Sequence, residues 1–341
     1  MTSRERVLTA ISKRNPDRVP IYCGRIDDLD YWLSYGGCQT EEELRSLWGL
    51  DLRKTSYSGV FKTRPGRTIW DTEEAWDKGY NSAKIAPLAG AETVQAVEAH
   101  NWPSLADVDF ELLKLRNEAM DDQFARIASF GFHPVFNTLN DLFGMEESMV
   151  LMYTEPKIIE AAVERIETFL LAVIKGSLEQ SAAKVDFFWL GDDFSTQRGM
   201  MISPELWRQY LKPTYKKLFA LIKSFGLGVW FHSCGTFKPV IGELVDIGMD
   251  VWETTQAHLE GNEPESLKRL YGDQLSFFGA INCQQTLPFG TEADVRKEVR
   301  ERIRVLGKNG GYILGPDHSI QRNMPAGNVF AMFDEAKRAL L

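Results

Sequence analysis

The second half of this chain repeats one unit, in which a short apolar run ends in polar residues and a helical pattern follows. Nearly continuous apolar runs of this length are typical of parallel strands that are covered by helices on both faces. The alternation therefore predicts an α/β fold with a parallel sheet. The five runs occupy residues 185–190, 227–231, 250–252, 275–281 and 311–314.

Two α/β architectures share this alternation, and the polar residues at the ends of the runs distinguish between them. A closed (β/α)8 barrel brings the carboxyl ends of all its strands to one bowl, whereas an open doubly wound sheet uses only those near its switch point. Because every run ends in groups that can bind or react, we predict a single (β/α)8 TIM barrel domain over residues 1–341, with an irregular N-terminal elaboration. The groups are Asp192 and Asp193, His232 and Cys234, Glu253, Asn282 and Cys283, and Asp317 and His318.

The N-terminal half is less regular. Apolar positions predict a short helix over residues 3–14 and a first strand over residues 19–23. Residues 55–109 lack a clear period and are predicted to form loops and a short hairpin. In the second half, Ser203 before a proline and Thr291 before an apolar series are predicted helix N-caps.

Charge and apolar patterning restrict the partners and location of the protein. Lys and Arg number 39 against 48 Asp and Glu, a formal net charge of −9 over 341 residues, which argues against broad contact with nucleic acid or an anionic membrane. The start lacks a secretory pattern, and the longest apolar stretch, residues 169–174, is far short of the ~20 residues of a spanning helix. The four scattered cysteines suggest no disulfide framework. We predict a cytoplasmic protein.

The triplet His232-Ser233-Cys234 is the most informative motif. Residues two apart at a strand end point the same way, so one metal ion could take the imidazole and the thiolate together. A barrel would bring His318 into the same bowl, and three protein ligands with an open fourth position are typical of catalytic zinc. The sequence therefore predicts a zinc site on His232, Cys234 and His318, with Glu253 as a fourth ligand or general base. The alternative is a buried cysteine beside a histidine bonded to the backbone.

Other polar residues at the strand ends are candidates for the substrate pocket. Of Asp192 and Asp193, one is expected to face the bowl and the other to cap a loop. We predict catalytic roles for Glu253 and Asp193. Asp192, Trp189, Asn282 and Cys283 are predicted to bind substrate.

Several chemistries find no support in the sequence. There is no Gly-rich phosphate loop of the Walker type and no G-x-G-x-x-G after a strand, so a nucleotide-binding fold is not indicated. No G-x-S-x-G elbow is present, so acyl-enzyme chemistry is also unsupported. Cys23 and Cys38 lack ligand-like neighbours and are predicted to be core residues.

Six segments together resemble the uroporphyrinogen decarboxylase superfamily. The resemblance covers essentially the whole chain and implies a (β/α)8 barrel, in agreement with the pattern of the strand ends. The segments are residues 6–8, 16–20, 202–207, 230–235, 287–291 and 310–314.

Within that superfamily the chain is less similar to the decarboxylase proper. The decarboxylase carries a Met-Arg-Gln-Ala-Gly-Arg segment after its first strand, whereas residues 21–27 contain Arg25 as their only cation. Because each desolvated carboxylate needs a cationic or hydrogen-bonding partner, a porphyrinogen would be poorly neutralised there. Arg25 is nevertheless predicted to bind substrate.

The chain is more similar to the cobalamin-dependent methyltransferases. In the coenzyme M methyltransferases of that branch, zinc is held by an H-x-C motif and a later cysteine in a Pro-Gly-Cys stretch. The resemblance places His232 and Cys234 at the first two ligand positions, and Pro316-Asp317-His318 supplies a histidine at the third. Imidazole is also a good zinc ligand.

The resemblance implies methyl transfer between a small methylated compound, such as an aryl methyl ether or a methanol-like compound, and the cobalt of a corrinoid carried by a partner protein. Zinc would act as Lewis acid, or Glu253 or Asp193 would supply a proton. Alternatives are transfer from methylcobalamin to a thiol or folate, a decarboxylase that uses Asp193 and Arg25, and a barrel that only binds a corrinoid or tetrapyrrole. Superfamily members are often dimers, so a homodimer is also expected.

Overall fold

The computed structural model describes residues 1–55, 57, 59–72, 86–131 and 133–339. In these residues, seven parallel strands form one sheet in the order β1-β2-β3-β6-β7-β8-β9, which confirms the predicted α/β fold with a parallel sheet. A short antiparallel hairpin of β4 and β5 follows β3. The strands are β1 Leu52–Lys54, β2 Ala125–Ser129, β3 Phe187–Gly191, β4 Ser195–Thr196, β5 Gly199–Met200, β6 Gly228–His232, β7 Val251–Thr255, β8 Ser276–Ile281 and β9 Tyr312–Pro316.

Helices connect the strands and pack on the outer face of the sheet. None of those in the described part of the chain combines the length and the apolar character that a membrane crossing needs. The α-helices are α1 Ser3–Ile11, α2 Leu29–Gly36, α3 Glu41–Trp48, α4 Val94–Glu98, α5 Phe110–Glu118, α6 Phe136–Phe143, α7 Met145–Thr154, α8 Pro156–Ser181, α9 Pro204–Leu206, α10 Lys212–Ser224, α11 Ile241–Asp246, α12 Pro264–Tyr271, α13 Thr286–Phe289, α14 Glu292–Leu306 and α15 Ala326–Arg338. A π-helical turn, Trp207–Leu211, joins α9 to α10.

Alternate residues along the strands enter two separate apolar clusters. On β3, Phe187 and Trp189 belong to the smaller cluster, whereas Phe188 and Leu190 belong to the larger one under the helices, as the period of two along a strand requires. The smaller cluster draws on strands from every part of the sheet, so the sheet curls around it. Its other members are Val7 of α1, Tyr22, Leu52, Ala125, Ile127, Trp230, Val251, Phe278 and Ile313.

Residues 20–22 take the position next to β9 where an eighth strand is expected. The backbone N–H of Tyr22 donates to the carbonyl of Leu314 at 2.9 Å, and the N–H of Leu314 donates to the carbonyl of Pro20 at 2.8 Å. This pairing is a parallel bridge rather than a full strand. The predicted barrel of eight strands is therefore corrected to seven strands and one bridging segment.

The predicted first strand over residues 19–23 is reduced to a bridge for a local reason. Pro20 has no N–H to donate, and the N–H of Ile21 donates to the Asp51 carboxylate at 2.8 Å instead of to a strand carbonyl. The backbone N–H of Asp51 in turn donates to the carbonyl of Ile21 at 2.8 Å. The segment thus touches β9 on one side and the start of β1 on the other.

Local predictions were partly correct. Ser203 and Thr291 are N-caps of α9 and α14, as predicted. The predicted helix over residues 3–14 ends earlier, at Ile11. Within the predicted loop region of residues 55–109, the structure adds α4, while residues 73–85 lie outside the described residues.

Candidate metal centre and the cavity beside it

The period of two along the strands positions the predicted metal ligands. Trp230 points into the barrel, so His232, two residues later at the end of β6, points the same way. Cys234 follows two residues beyond His232, and His318 lies two residues beyond the end of β9. The ligand atoms of His232, Cys234 and His318 all lie within 4.8 Å of one another. The fold therefore brings these three residues into one cluster.

The chemistry and spacing of this cluster fit zinc. Imidazole nitrogen and cysteine sulfur are its usual ligands, and tetrahedral zinc with ordinary bond lengths places such a nitrogen and sulfur about 3.6 Å apart. His232 Nε2 and Cys234 Sγ are 3.5 Å apart. The other donor, His318, has its Nδ1 3.2 Å from Ser319 Oγ.

A buried carboxylate fixes the other side of the His232 ring. Glu253 Oε1 lies 3.2 Å from His232 Nδ1, and Thr254 Oγ1 lies 3.0 Å from the same atom. Glu253 Oε2 accepts hydrogen bonds from the indole N–H groups of Trp189, at 3.1 Å, and Trp230. A carboxylate on the second nitrogen of a ligating histidine sets its tautomer and orientation. Glu253 thus leaves Nε2 facing the cluster.

Glu253 is held in its ionised form. Burial alone would raise its pKa, but the hydrogen bond with His232 and the charge of Lys54 outweigh burial and hold the pKa of Glu253 below its usual value. Since both of its oxygens are already hydrogen-bonded, this geometry suits a positioning residue better than the predicted fourth ligand or general base.

The charges within the cluster favour a thiolate. Burial opposes a charge on His232, but the charges of Cys234 and Asp193 outweigh it and hold the pKa of the imidazole well above its usual value. Burial also opposes a thiolate at Cys234, yet the charge of His232 keeps the pKa of the thiol below its usual value. At His318 the hydrogen bond with Cys234 outweighs burial and raises the pKa of the ring. Thiolate is the form of cysteine that binds metals.

The two adjacent aspartates after β3 have different surroundings. Asp193 Oδ1 accepts the backbone N–H of Cys234 at 2.7 Å and lies 3.6 Å from His232 Nε2. Asp193 is therefore the carboxylate next to the cluster.

Asp192 is fully buried and points away from the bowl. It accepts three successive backbone N–H groups, of residues 135–137 at the start of α6, and the hydroxyl of Tyr215. These bonds tie β3 to α6 and α10. The structure thus gives Asp192 a structural position, not the predicted place in a substrate pocket, because the start of α6 needs an acceptor there.

A cavity of about 430 Å³ lies beside the cluster. His232, Glu253 and His318 line it, and so do two of the predicted substrate-binding residues, Trp189 and Arg25. Aromatic rings and cations therefore surround the space next to the candidate metal ligands.

Asn282 and Cys283 do not belong to the described lining of this cavity. The side-chain oxygen of Asn282 accepts the N–H groups of Gln284 and Gln285, which turns the chain into α13. The N–H of Cys283 donates to Asp317, and burial raises the pKa of the Cys283 thiol well above its usual value. These bonds explain why the predicted pocket residues after β8 instead organise the loop.

Two basic residues of the cavity wall are not among the residues predicted from the sequence. Lys54 ends β1 and places its Nζ 3.6 Å from the centre of the Trp189 ring, and Arg45 of α3 also lines the cavity. The period of two along a strand indicates the position of Lys54, because it follows Leu52, which faces the barrel interior, by two residues. It was not recognised because β1 has only three residues.

A second cavity of about 380 Å³ adjoins the first, since Tyr57, Gly131 and His133 line both. Gly131 has φ +68°, and a Cβ there would overlap the Tyr57 ring, so only glycine lets the ring lie on this backbone. On the far wall, burial raises the pKa of Asp141 to about 6. The two cavities together exceed what a one-carbon substrate requires.

Comparison with known proteins gives a family model and a set of similar folds. A model described as uroporphyrinogen decarboxylase (URO-D) matches residues 117–339, about two thirds of the chain. No curated protein sequence matches significantly. A solved structure of a methyltransferase from Methanosarcina mazei has 17% identity and a TM-score of 0.73, with 99% of each chain covered.

Two sugar epimerases are more distant. An apo 3-keto-D-glucoside 4-epimerase from E. coli has 12% identity and a TM-score of 0.40, covering 68% of this chain and 88% of that one. A D-psicose 3-epimerase solved with D-fructose has 11% identity and a TM-score of 0.39, covering 69% and 83%.

Proposed function

Because this chain belongs to the uroporphyrinogen decarboxylase (URO-D) family, we propose that it is a methyltransferase of that family. Its substrates would be a small methylated compound and the corrinoid of a separate carrier protein. The similarity of fold to the Methanosarcina mazei methyltransferase over nearly all of both chains supports this proposal.

The observation that carries the proposal is the cluster of His232, Cys234 and His318 at the carboxyl ends of two strands. Three nitrogen and sulfur donors that converge beside a cavity are the arrangement expected for a catalytic zinc with an open position. When bound, zinc would supply Lewis acidity to the heteroatom that carries the methyl group.

Residues of the chain would orient the candidate ligands and supply a proton. Glu253 orients His232 through Nδ1 and is itself held by two indole N–H groups. Transfer would break the bond between the methyl carbon and its heteroatom and form a bond from that carbon to the reduced corrinoid, which supplies the electron pair. The heteroatom keeps the pair of the broken bond and takes a proton. We assign Asp193, with Oδ1 3.6 Å from His232 Nε2, as the residue that delivers this proton from its acid form and is left as a carboxylate.

The aromatic walls of the cavity favour an aryl methyl ether over a smaller substrate. Trp189, Tyr57 and Phe278 line the space next to the ligand cluster, and such rings stack on a flat aromatic substrate. The adjoining second cavity would accommodate ring substituents.

A spectral screen tests the reaction. The zinc-loaded protein is mixed with cob(I)alamin and a panel of methyl ethers and methanol, and the absorbance of methylcobalamin is followed. We expect methylcobalamin to form with at least one donor, and His232→Ala and Cys234→Ser to lose both zinc and activity. His100→Ala, which changes a histidine outside the cluster, should retain both. The absence of any spectral change, with methylcobalamin and thiol or folate acceptors also unchanged, would exclude the proposal.

Decarboxylation is the second candidate, and the cations on the cavity wall favour it. Arg25, Arg45 and Lys54 all line the cavity and could bind a substrate carboxylate. The predicted partner of Asp193 in such a reaction, Arg25, instead pairs with Asp27 at 2.7 Å. Release of CO₂ from carboxylated substrates by the metal-free protein, without methyl transfer, would favour this reading.

A further inference from the structure

Lys54 is a cation without an ionic partner in the wall of the cavity. It stands at the inward-facing end of β1, and its Nζ lies over the face of Trp189, 3.6 Å from the ring centre. Within the described part of the chain, no carboxylate forms an ion pair with it. The Trp189 face satisfies the charge only in part, since a cation–π contact supplies no oxygen acceptor for the ammonium N–H groups.

The two arginines of the cavity wall already have carboxylate partners. Arg25 pairs with Asp27 at 2.7 Å, and Arg45 pairs with Glu41 at 2.5 Å. Both arginines therefore have carboxylate partners supplied by their own neighbourhood. Lys54 lines the same cavity but has no carboxylate paired with it among the described residues.

Glu253, the carboxylate whose charge acts on Lys54, forms neither a hydrogen bond nor an ion pair with it among the described contacts. Glu253 Oε2 accepts from Trp189 and Trp230, and Oε1 faces His232. Burial accordingly lowers the pKa of Lys54 to about 8, and the charge of Glu253 compensates only in part. A partly desolvated ammonium is stabilised by an anion that enters the cavity.

We propose that Lys54 binds an anionic group of the substrate, so that the methylated substrate is a small organic monoanion, in the first instance a carboxylate. The identity of the substrate as a methyl donor or acceptor rests on the proposed function above, whereas the anion site rests on Lys54 and its surroundings. A doubly charged group is disfavoured, because one ammonium neutralises only one charge.

Trp189 links the proposed anion site to the ligand cluster. Trp189 contacts both ends of the site, with Lys54 over its face and the His232 ring 5.8 Å from its own ring centre. Trp189 thus contacts both the ammonium of Lys54 and the ring of His232. A benzene ring with a carboxylate and a methoxy group on opposite sides is therefore the probe chosen for the test.

The test compares 4-methoxybenzoate with the uncharged 4-methoxybenzamide by isothermal titration calorimetry, on metal-free and on zinc-loaded protein. We expect the native protein to prefer the carboxylate by about tenfold or more, the range of one hydrogen bond to a charged group. Lys54→Met should abolish the preference, and Lys54→Arg should restore most of it. Lys175→Met, the same change at an exposed lysine on α8, should leave the preference intact.

Three results would overturn the inference. The first is that the native protein binds 4-methoxybenzoate and 4-methoxybenzamide equally well. The second is that a folded Lys54→Met variant still prefers the carboxylate. The third is that the preference for the carboxylate appears only with zinc and is the same in Lys54→Met. The last would place the carboxylate on the metal ligands instead. Circular dichroism and the melting temperature show that each variant is folded. If Lys54→Met removes the preference but no methyl transfer is found, the anion site stands and the methyltransferase proposal fails.

Discussion

The environment of Glu253 shows how single side chains organise the candidate metal centre. One carboxylate serves two indole N–H donors and an imidazole in the barrel interior. Buried charges persist where hydrogen bonds replace the lost water. The same bonds keep His232 in one orientation, so Glu253 controls how the imidazole faces the cluster.

Replacing Glu253 by glutamine should therefore weaken metal binding without removing a ligand. The side chain keeps its volume but loses the charge that favours the Nδ1–H form of His232. We expect Glu253→Gln to lower zinc affinity by about 10- to 100-fold, the usual effect of losing such a partner. Competition with a chromophoric chelator measures this, and Glu263→Gln in an exposed turn is the matched control. An unchanged affinity would contradict the positioning role.

For single residues, the sequence predicts which side chains are neighbours better than it predicts which way each side chain points. The motif His232-Ser233-Cys234 and the distant His318 were grouped correctly as neighbours, because parallel strand ends converge. Which of Asp192 and Asp193 faces the bowl was open, since that depends on where α6 begins and on the hydroxyl of Tyr215. Those contacts join residues far apart in the chain, and no local pattern records them.

At the scale of elements, the junction of α1 with β8 brings two lysines together. Lys13, just after α1, donates from Nζ to Ser276 Oγ at 2.6 Å, and Lys268 of α12 donates to the carbonyl of Gly310 at 2.6 Å. Burial and the neighbouring charge of Lys268 lower the pKa of Lys13 to about 7, although Asp250 and Asp273 act in the opposite direction. The folded protein therefore disfavours the charged form of Lys13, and keeping that charge lowers the free energy of unfolding.

This cost makes stability depend on pH in a defined direction. An unfolded lysine titrates near 10.4, so between about pH 7 and pH 10 the unfolded state binds more protons at Lys13 than the folded state does. The free energy of unfolding should consequently rise with pH across this window. Lys13→Met should reduce the rise, as measured by urea unfolding at pH 7 and pH 9.5, whereas Lys308→Met at an exposed position should not. Parallel slopes for all three proteins would contradict it.

Elements were predictable in proportion to their length and apolar content. The five strands β3, β6, β7, β8 and β9 were found because each has five or six residues, nearly all buried. β1 has three residues and β2 carries Arg126 and Ser129, so neither gives a continuous apolar run. Tertiary pairing, not local preference, makes them strands.

At the scale of the whole molecule, Asp51 joins the first and last parts of the sheet. It is fully buried and accepts from Arg6 at 2.6 Å, from Arg18 at 2.8 Å and from the backbone N–H of Ile21 at 2.8 Å. The carboxylate thereby holds α1 and the bridging segment of residues 20–22 against β1.

Asp51→Asn should destabilise the fold strongly, because it leaves two arginines without their buried partner. Breaking a buried ion pair costs about 3–5 kcal/mol. Asp17→Asn is the matched control: Asp17 shares Arg6 but is 41% exposed, and exposed pairs contribute at most about 1 kcal/mol. Urea unfolding measures both. A similar small loss for the two variants would show that the bridging segment does not depend on Asp51.

The pairing of Ile21 with Leu314 also has a consequence for how the protein is made. These partners are separated by nearly the whole chain, and contacts between distant residues form slowly. During synthesis, residues 20–22 wait at an open edge until residues 312–316 have left the ribosome. His318 follows that last strand directly, so the third candidate ligand arrives with the closing of the ring. A nascent chain should therefore lack the complete candidate metal site until the sheet has closed.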